Sequence, residues 1–130
     1  MIRTFTPNPV LDLTLTVPAI VFNEMSRAAA VREDWGGKGF NVSRALQALE
    51  VPSTAMGFLG GATGRKLETG LRTLGIDVTP IEIGGETRTN VVIAEPDGGR
   101  YIKVNQPGPT IRPDEIDRCL AQVRDDVRPG

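Results

Sequence analysis

Residues 36–49 read Gly36-Gly37-Lys38-Gly39-Phe40-Asn41-Val42-Ser43-Arg44-Ala45-Leu46-Gln47-Ala48-Leu49, and the fold turns on this stretch. Three glycines stand before a helical pattern. Val42, Ala45, Leu46 and Leu49 recur at i, i+3, i+4 and i+7, which predicts a helix from Asn41 with that face inward, ended by Val51-Pro52. Glycines before a helix let a ligand come close to the backbone, and the free N–H groups of the first turn point the same way. The segment is not a Walker A loop, because Lys38 is followed by Gly39 rather than Ser or Thr; nor is it G-x-G-x-x-G. Spacing alone leaves open a tight strand-to-helix turn with an incidental lysine.

Upstream, Ile2 to Thr6 reads as a strand stopped by Pro7-Asn8-Pro9. Leu11 to Val17 alternates apolar and polar, the pattern of a half-buried strand. Ser26 to Asp34 is a strand whose Ala run is equally helical. Downstream come a strand at Thr54–Leu59, then Gly60-Gly61-Ala62-Thr63-Gly64 opening a helix with Leu67, Leu71 and Leu74, then a strand at Val78–Ile83. Runs at 87–95 and 100–104 flank Pro96-Asp97-Gly98-Gly99, a hairpin signal. Pro113-Asp114-Glu115 starts a last helix with Ile116, Leu120 and Val123 on its apolar face. Strand–helix alternation argues for an α/β fold with a parallel sheet, and the β-rich insertions for a second, smaller layer. Three or four parallel strands need helices on both faces, so the chain reads as the first part of a larger domain.

Composition narrows the chemistry. Fifteen Lys and Arg against 16 Asp and Glu give a net charge of −1 in 130 residues, without the basic excess of a dedicated nucleic-acid binder. There is no histidine and one cysteine, Cys119. Ser-His-Asp catalysis, an internal disulfide framework and a cysteine-based zinc cluster are thereby excluded. No apolar run approaches the roughly 20 residues that span a bilayer, and the N-terminus is not a signal peptide. The expectation is a soluble cytoplasmic protein with no membrane partner. Trp35 and Cys119 read as packing residues.

Three side chains outside the glycine segment are candidates. Asp12 stands in the polar register of an apolar strand, where a carboxylate can accept hydrogen bonds from sugar hydroxyls; the alternative is an Asp facing water. Arg88 and Lys103 lie on the two arms of the second hairpin. Two cations converging on one face suit a phosphate. The alternative is a pair of solvated edge-strand charges.

Taken together, Thr6-Pro7-Asn8-Pro9-Val10-Leu11-Asp12, Gly36-Gly37-Lys38-Gly39-Phe40-Asn41-Val42-Ser43-Arg44-Ala45-Leu46, Gly60-Gly61-Ala62-Thr63-Gly64, Thr87-Arg88-Thr89-Asn90-Val91 and Lys103-Val104-Asn105-Gln106-Pro107-Gly108-Pro109 resemble the ribokinase-like carbohydrate kinases of the PfkB family. The likeness is to the 1-phosphofructokinase and tagatose-6-phosphate kinase branch. The resemblance implies a ribokinase-like parallel sheet with flanking helices and a small β-sheet lid, formed by residues of about 10–34 and 87–105. It implies that Asp12 and Asn41 bond sugar hydroxyls, that Gly37 and Gly39 bring the sugar to the backbone with Lys38 inside that loop, and that Arg88 and Lys103 clamp the substrate phosphate. The implied reaction is ATP-dependent phosphorylation of fructose 1-phosphate to the 1,6-bisphosphate. Fructose 6-phosphate and tagatose 6-phosphate are the alternatives within the class; a non-catalytic sugar-phosphate-binding or self-associating domain is the alternative outside it. The family's catalytic Asp lies in a late Gly-Ala-Gly-Asp segment. No such segment occurs here, so no catalytic residue is assigned. The sites for ATP and Mg2+ are expected outside this chain, and the chain alone is expected to be inactive. The lid also implies a homodimer contact.

Overall fold

The computed structural model describes residues 1–127. It contains two sheets. The first holds β1 (Ile2–Thr6), β4 (Ser53–Leu59) and β5 (Asp77–Glu82) in the order β1-β4-β5, all parallel. The second holds β2 (Val10–Thr16), β3 (Ala30–Gly36), β6 (Arg88–Ala94) and β7 (Tyr101–Val104) in the order β3-β2-β6-β7. In it β2 and β6 run parallel, and the two outer strands antiparallel to them. The helices are α1 (Lys38–Ala48), α2 (Gly61–Thr73) and α3 (Pro113–Asp126).

Alternation along β4 divides the core. Ala55 and Leu59 join Phe40, Leu67, Leu71, Ile76 and Val78 under α1 and α2, while Met56 and Phe58 join Ile81, Ile83 and Cys119 under α3. A parallel sheet is thus covered on both faces, as its unalternating apolar strands require. The polar contacts between α1 and the sheet are buried as well: Ser43 Oγ and Thr4 Oγ1 lie 2.6 Å apart.

The strand expected at Ser26–Asp34 runs instead from Ala30 to Gly36, with Ser26 to Ala29 outside it, and it pairs in register with β2, Trp35 opposite Leu11 and Val31 opposite Leu15. The hairpin turn carries positive φ at Asp97 (58°) and Gly98 (71°), as a tight turn between antiparallel strands demands.

Four expectations about the helices are corrected. The first helix begins at Lys38, not Asn41. Its inward face is Phe40 and Ser43; Val42 and Leu49 are 51% and 72% exposed. At about 100° per residue Val42 lies about 200° from Phe40, and the larger ring takes the groove over Gly57, where it leaves no room for a side chain. In α3 the inward residues are Glu115 and Cys119, with Ile116 and Leu120 outside. Glu115 turns in because its carboxylate accepts the Gly84 N–H (2.7 Å) and the Arg112 N–H (2.8 Å). Leu74, expected on the α2 face, is also largely exposed; Gly64, Leu67, Gly70 and Leu71 are what α2 buries.

Candidate functional site

The chain passes four times between the mixed sheet and the body formed by the parallel sheet and its helices: at residues 7–9, at 37, at 83–87 and at 105–112. A cleft of about 490 Å³ opens at the 7–9 and 37 crossings. Its lining includes Asp12, Gly37, Lys38, Gly39, Asn41, Arg88 and Lys103. These come from β2, the β3–α1 turn, α1, β6 and β7, so residues up to 91 positions apart in sequence share one wall system. Period-2 alternation explains the sheet's contribution. Asp12 pairs with Asn90, and Val92, on the same face as Arg88 and Asn90, pairs with Lys103.

The glycines have a structural reason beside any ligand. Gly37 has φ +133°, and a Cβ there would overlap the Thr6 side chain. A Cβ on Gly39 would stand 2.6 Å from the Phe5 carbonyl. The turn is therefore pressed onto β1, and Thr6 Oγ1 accepts the Phe40 N–H at 3.0 Å. Asn41 N–H already donates to the Gly37 carbonyl. The Lys38 and Gly39 amides are the open donors of the first turn, at the cleft. Lys38 and Gly39 thus lie within α1 rather than in a loop ahead of it.

Arg88 is held from two sides. Its guanidinium donates to the Asn8 carbonyl (3.1 Å) and the Gln106 carbonyl (3.3 Å), bridging two of the four crossings. Its Nε is buried with no hydrogen-bond partner among the described residues. The side chains of Asp12, Lys38, Asn41 and Lys103 make no hydrogen bond or ion pair with the described residues. A carboxylate, an amide and three cationic groups converge here with most of their capacity unspent.

Among the lining residues not singled out from the sequence are two asparagines, Asn90 and Asn8. Asn90 is 5% exposed, and its Oδ1 accepts the Gln106 N–H at 3.1 Å. That bond turns the amide nitrogen away from Gln106. Asn8 donates to the Pro107 carbonyl. The signal for Asn90 was available: it stands two residues after Arg88 in a strand, on the same face. Trp35 packs against the core under α2, and Cys119 is buried in the α3 cluster, where burial pushes its thiol pKa up. Among the described residues no group of three or more His, Cys, Asp or Glu could hold a metal ion, and no helix is long and apolar enough to cross a membrane.

Residues 8–118 match the family model described as pfkB family carbohydrate kinase. The chain belongs to that family, and its architecture is the ribokinase-like one of parallel sheet, flanking helices and a small second sheet. It is 36% identical over 124 residues to a 1-phosphofructokinase of Bacillus subtilis, covering 95% of this chain and 40% of the relative. It is 34% identical over 111 residues to a tagatose-6-phosphate kinase of Staphylococcus epidermidis, covering 85% and 35%. The structure of phosphofructokinase-2 from Escherichia coli in complex with fructose-6-phosphate superposes with a TM-score of 0.86 at 31% identity, over 95% of this chain and 41% of that one. The chain therefore spans about two fifths of the length of these relatives.

Proposed function

We propose that the protein carrying this chain phosphorylates a hexose phosphate with ATP, fructose 1-phosphate being the first choice, and that this chain supplies the sugar-phosphate half of the site. The carrying observation is that Asp12, Lys38, Asn41, Arg88 and Lys103 line one cleft while four of the five lack protein partners. In this reading Asp12 and Asn41 hold sugar hydroxyls, the open amides of the α1 turn meet the sugar oxygens, and Arg88 and Lys103 hold the phosphate already present. That phosphate keeps its charge through the reaction, so the cations contribute binding, whereas Asp12 orients the reacting end. Asn90 joins them through its free amide nitrogen.

The four-stranded sheet is the proposed lid, segments 10–34 and 87–105. Its face away from the cleft presents Leu15, Ile93 and Ile102 with the exposed Val21 and Phe22 beside them; a second copy of the chain is the proposed cover. The described residues offer neither a Gly-Ala-Gly-Asp segment nor a carboxylate cluster for Mg2+. They do not fit nucleotide and metal, and no transfer step is assigned to them. ATP and Mg2+ enter only as the family's co-substrate and ion.

The test is a kinase assay of the full-length gene product with ATP and, separately, fructose 1-phosphate, fructose 6-phosphate and tagatose 6-phosphate. Turnover highest with fructose 1-phosphate supports the reading. Saturable sugar-phosphate binding without turnover favours the non-catalytic alternative, and neither turnover nor binding overturns both.

A further inference from the structure

We infer that Glu86 is a positioning residue for Arg88 and that the Gly60–Gly64 turn is its receptor; the inference rests on the sugar-phosphate site proposed above.

The turn has no role in the cleft, since none of its residues lines it. What it does contact is the segment leading into β6. The first N–H groups of α2 need acceptors, and its N-cap, Gly60, has no side chain to offer. The acceptor comes from 23 residues downstream: Glu86 Oε1 takes the Thr63 N–H at 2.8 Å. Gly61 has φ +67°, and a Cβ there would overlap the Glu86 carboxylate. That turn therefore admits a carboxylate only because residue 61 is glycine. Negative charge is also favoured at a helix N-terminus. Hydrogen bonds from Thr63 hold the Glu86 carboxyl below its ordinary value.

The next residue, Thr87, is locked in the same way. Its N–H donates to the Gly60 carbonyl at 3.0 Å, and its hydroxyl accepts the Gly60 N–H at 2.9 Å. Beyond Thr87 the strand is held by its pairing with β2, which begins at Arg88 opposite Val10. A second anchor at Glu86 sets the direction in which the chain leaves the body, and Arg88 is the first residue on that course. Glu86 itself is exposed, and losing this capping contact should lower the melting temperature of the full-length protein by a few degrees at most. Its effect is local, on where the guanidinium sits.

The experiment uses the full-length gene product as wild type, Glu86→Ala, Glu86→Gln, Arg88→Ala and Glu86→Ala/Arg88→Ala. Glu86→Ala is expected to raise KM for fructose 1-phosphate about five- to tenfold, a fraction of the hundredfold that a misplaced group can cost. kcat and KM for ATP should stay near wild type, and the melting temperature within a few degrees of it. Glu86→Gln, which still offers an oxygen to Thr63, should recover most of the loss. With Arg88 already removed, Glu86→Ala should change KM by less than about twofold, because residues acting through one group are not additive. An unchanged KM, or the same factor with and without Arg88, overturns the inference. If the wild type turns over no hexose phosphate, the kinase reading falls separately, and titration with inorganic phosphate takes over the test. Weaker phosphate binding in Glu86→Ala only while Arg88 is present supports the inference; equal binding, or none by the wild type, overturns it.

Discussion

The two sheets are built from similar residues and treated differently. In the parallel sheet, β4 is buried from Ala55 to Leu59, and the core clusters on both its faces close over it. In the mixed sheet β2 buries Val10 and Leu11 and leaves Asp12 to Thr16 partly exposed, while β7 is nearly all at the surface. The first sheet has two apolar faces and keeps Asp77 and Glu82, unpaired among the described residues, at the ends of β5. The second has one face of carboxylate, amide and cations and another of aliphatic side chains. The body therefore holds the fold, and the mixed sheet carries Asp12 and Lys103, side chains with no partner among the described residues. The candidate site lies where the two meet: Asp12, Arg88 and Lys103 come from the mixed sheet, and Lys38 and Asn41 from α1 on the body.

The largest expected effect lies in the body. Phe40→Ala removes the fully buried ring at the α1–sheet junction and should cost about 3–5 kcal/mol in a denaturant melt. Tyr101→Ala, on a strand of the mixed sheet and 69% exposed, should stay within about 0.5 kcal/mol of the parent. Similar costs for the two would break the comparison.

Next in size is the cleft. Arg88→Ala should remove a charge-assisted contact worth about 1.5–3 kcal/mol, or about 10- to 150-fold. The loss should fall on KM for the sugar phosphate, with KM for ATP nearly unchanged. Asp12→Ala should lower kcat as well, because the proposed reading puts it beside the reacting hydroxyl. An Arg88→Ala enzyme with an untouched sugar-phosphate KM would reduce this arginine to a bridge between the Asn8 and Gln106 carbonyls.

The smallest effect sharpens the contrast at the tip of the mixed sheet. Arg100, above all through its side-chain hydrogen bonds, and then the Ile20 N–H hold the Glu95 carboxyl down at about 2, from 4.5. The folded state favours the ionised form. Its contribution is therefore complete above about pH 4.5 and is lost as the pH falls towards 2. The Ile20 and Arg100 amide resonances should titrate together near pH 2, while the Ile83 amide, bonded to the Leu59 carbonyl in the body, should not move with them. A midpoint near 4.5, or no loss of the titration in Glu95→Gln, would remove the ion pair from the account.

The strands and helices were legible because they depend on local order. Alternation at Leu11–Val17, the Asp97-Gly98 turn and the proline and acids before α3 each act within a few residues, and each recurs in the structure within one to three positions. The glycine run before α1 also announced a tight turn, and the shared face of Arg88 and Asn90 was written in the period of a strand. Which side of a helix faces inward was not legible. Periodicity marked Val42 and Leu49 on α1 and Ile116 on α3, yet Phe40, Ser43, Glu115 and Cys119 are the residues turned in. That choice depends on what the sheet offers opposite: a bare Gly57 for the Phe40 ring, the Thr4 hydroxyl for Ser43, and the Gly84 N–H for the Glu115 carboxylate. Likewise the composition and motifs determined that this is an α/β chain with candidate polar groups at Asp12, Asn41, Arg88 and Lys103. Only the tertiary structure decided that they line one cleft, because a shared wall requires the mixed sheet and the body to meet, and no local period records where separate strands come to rest.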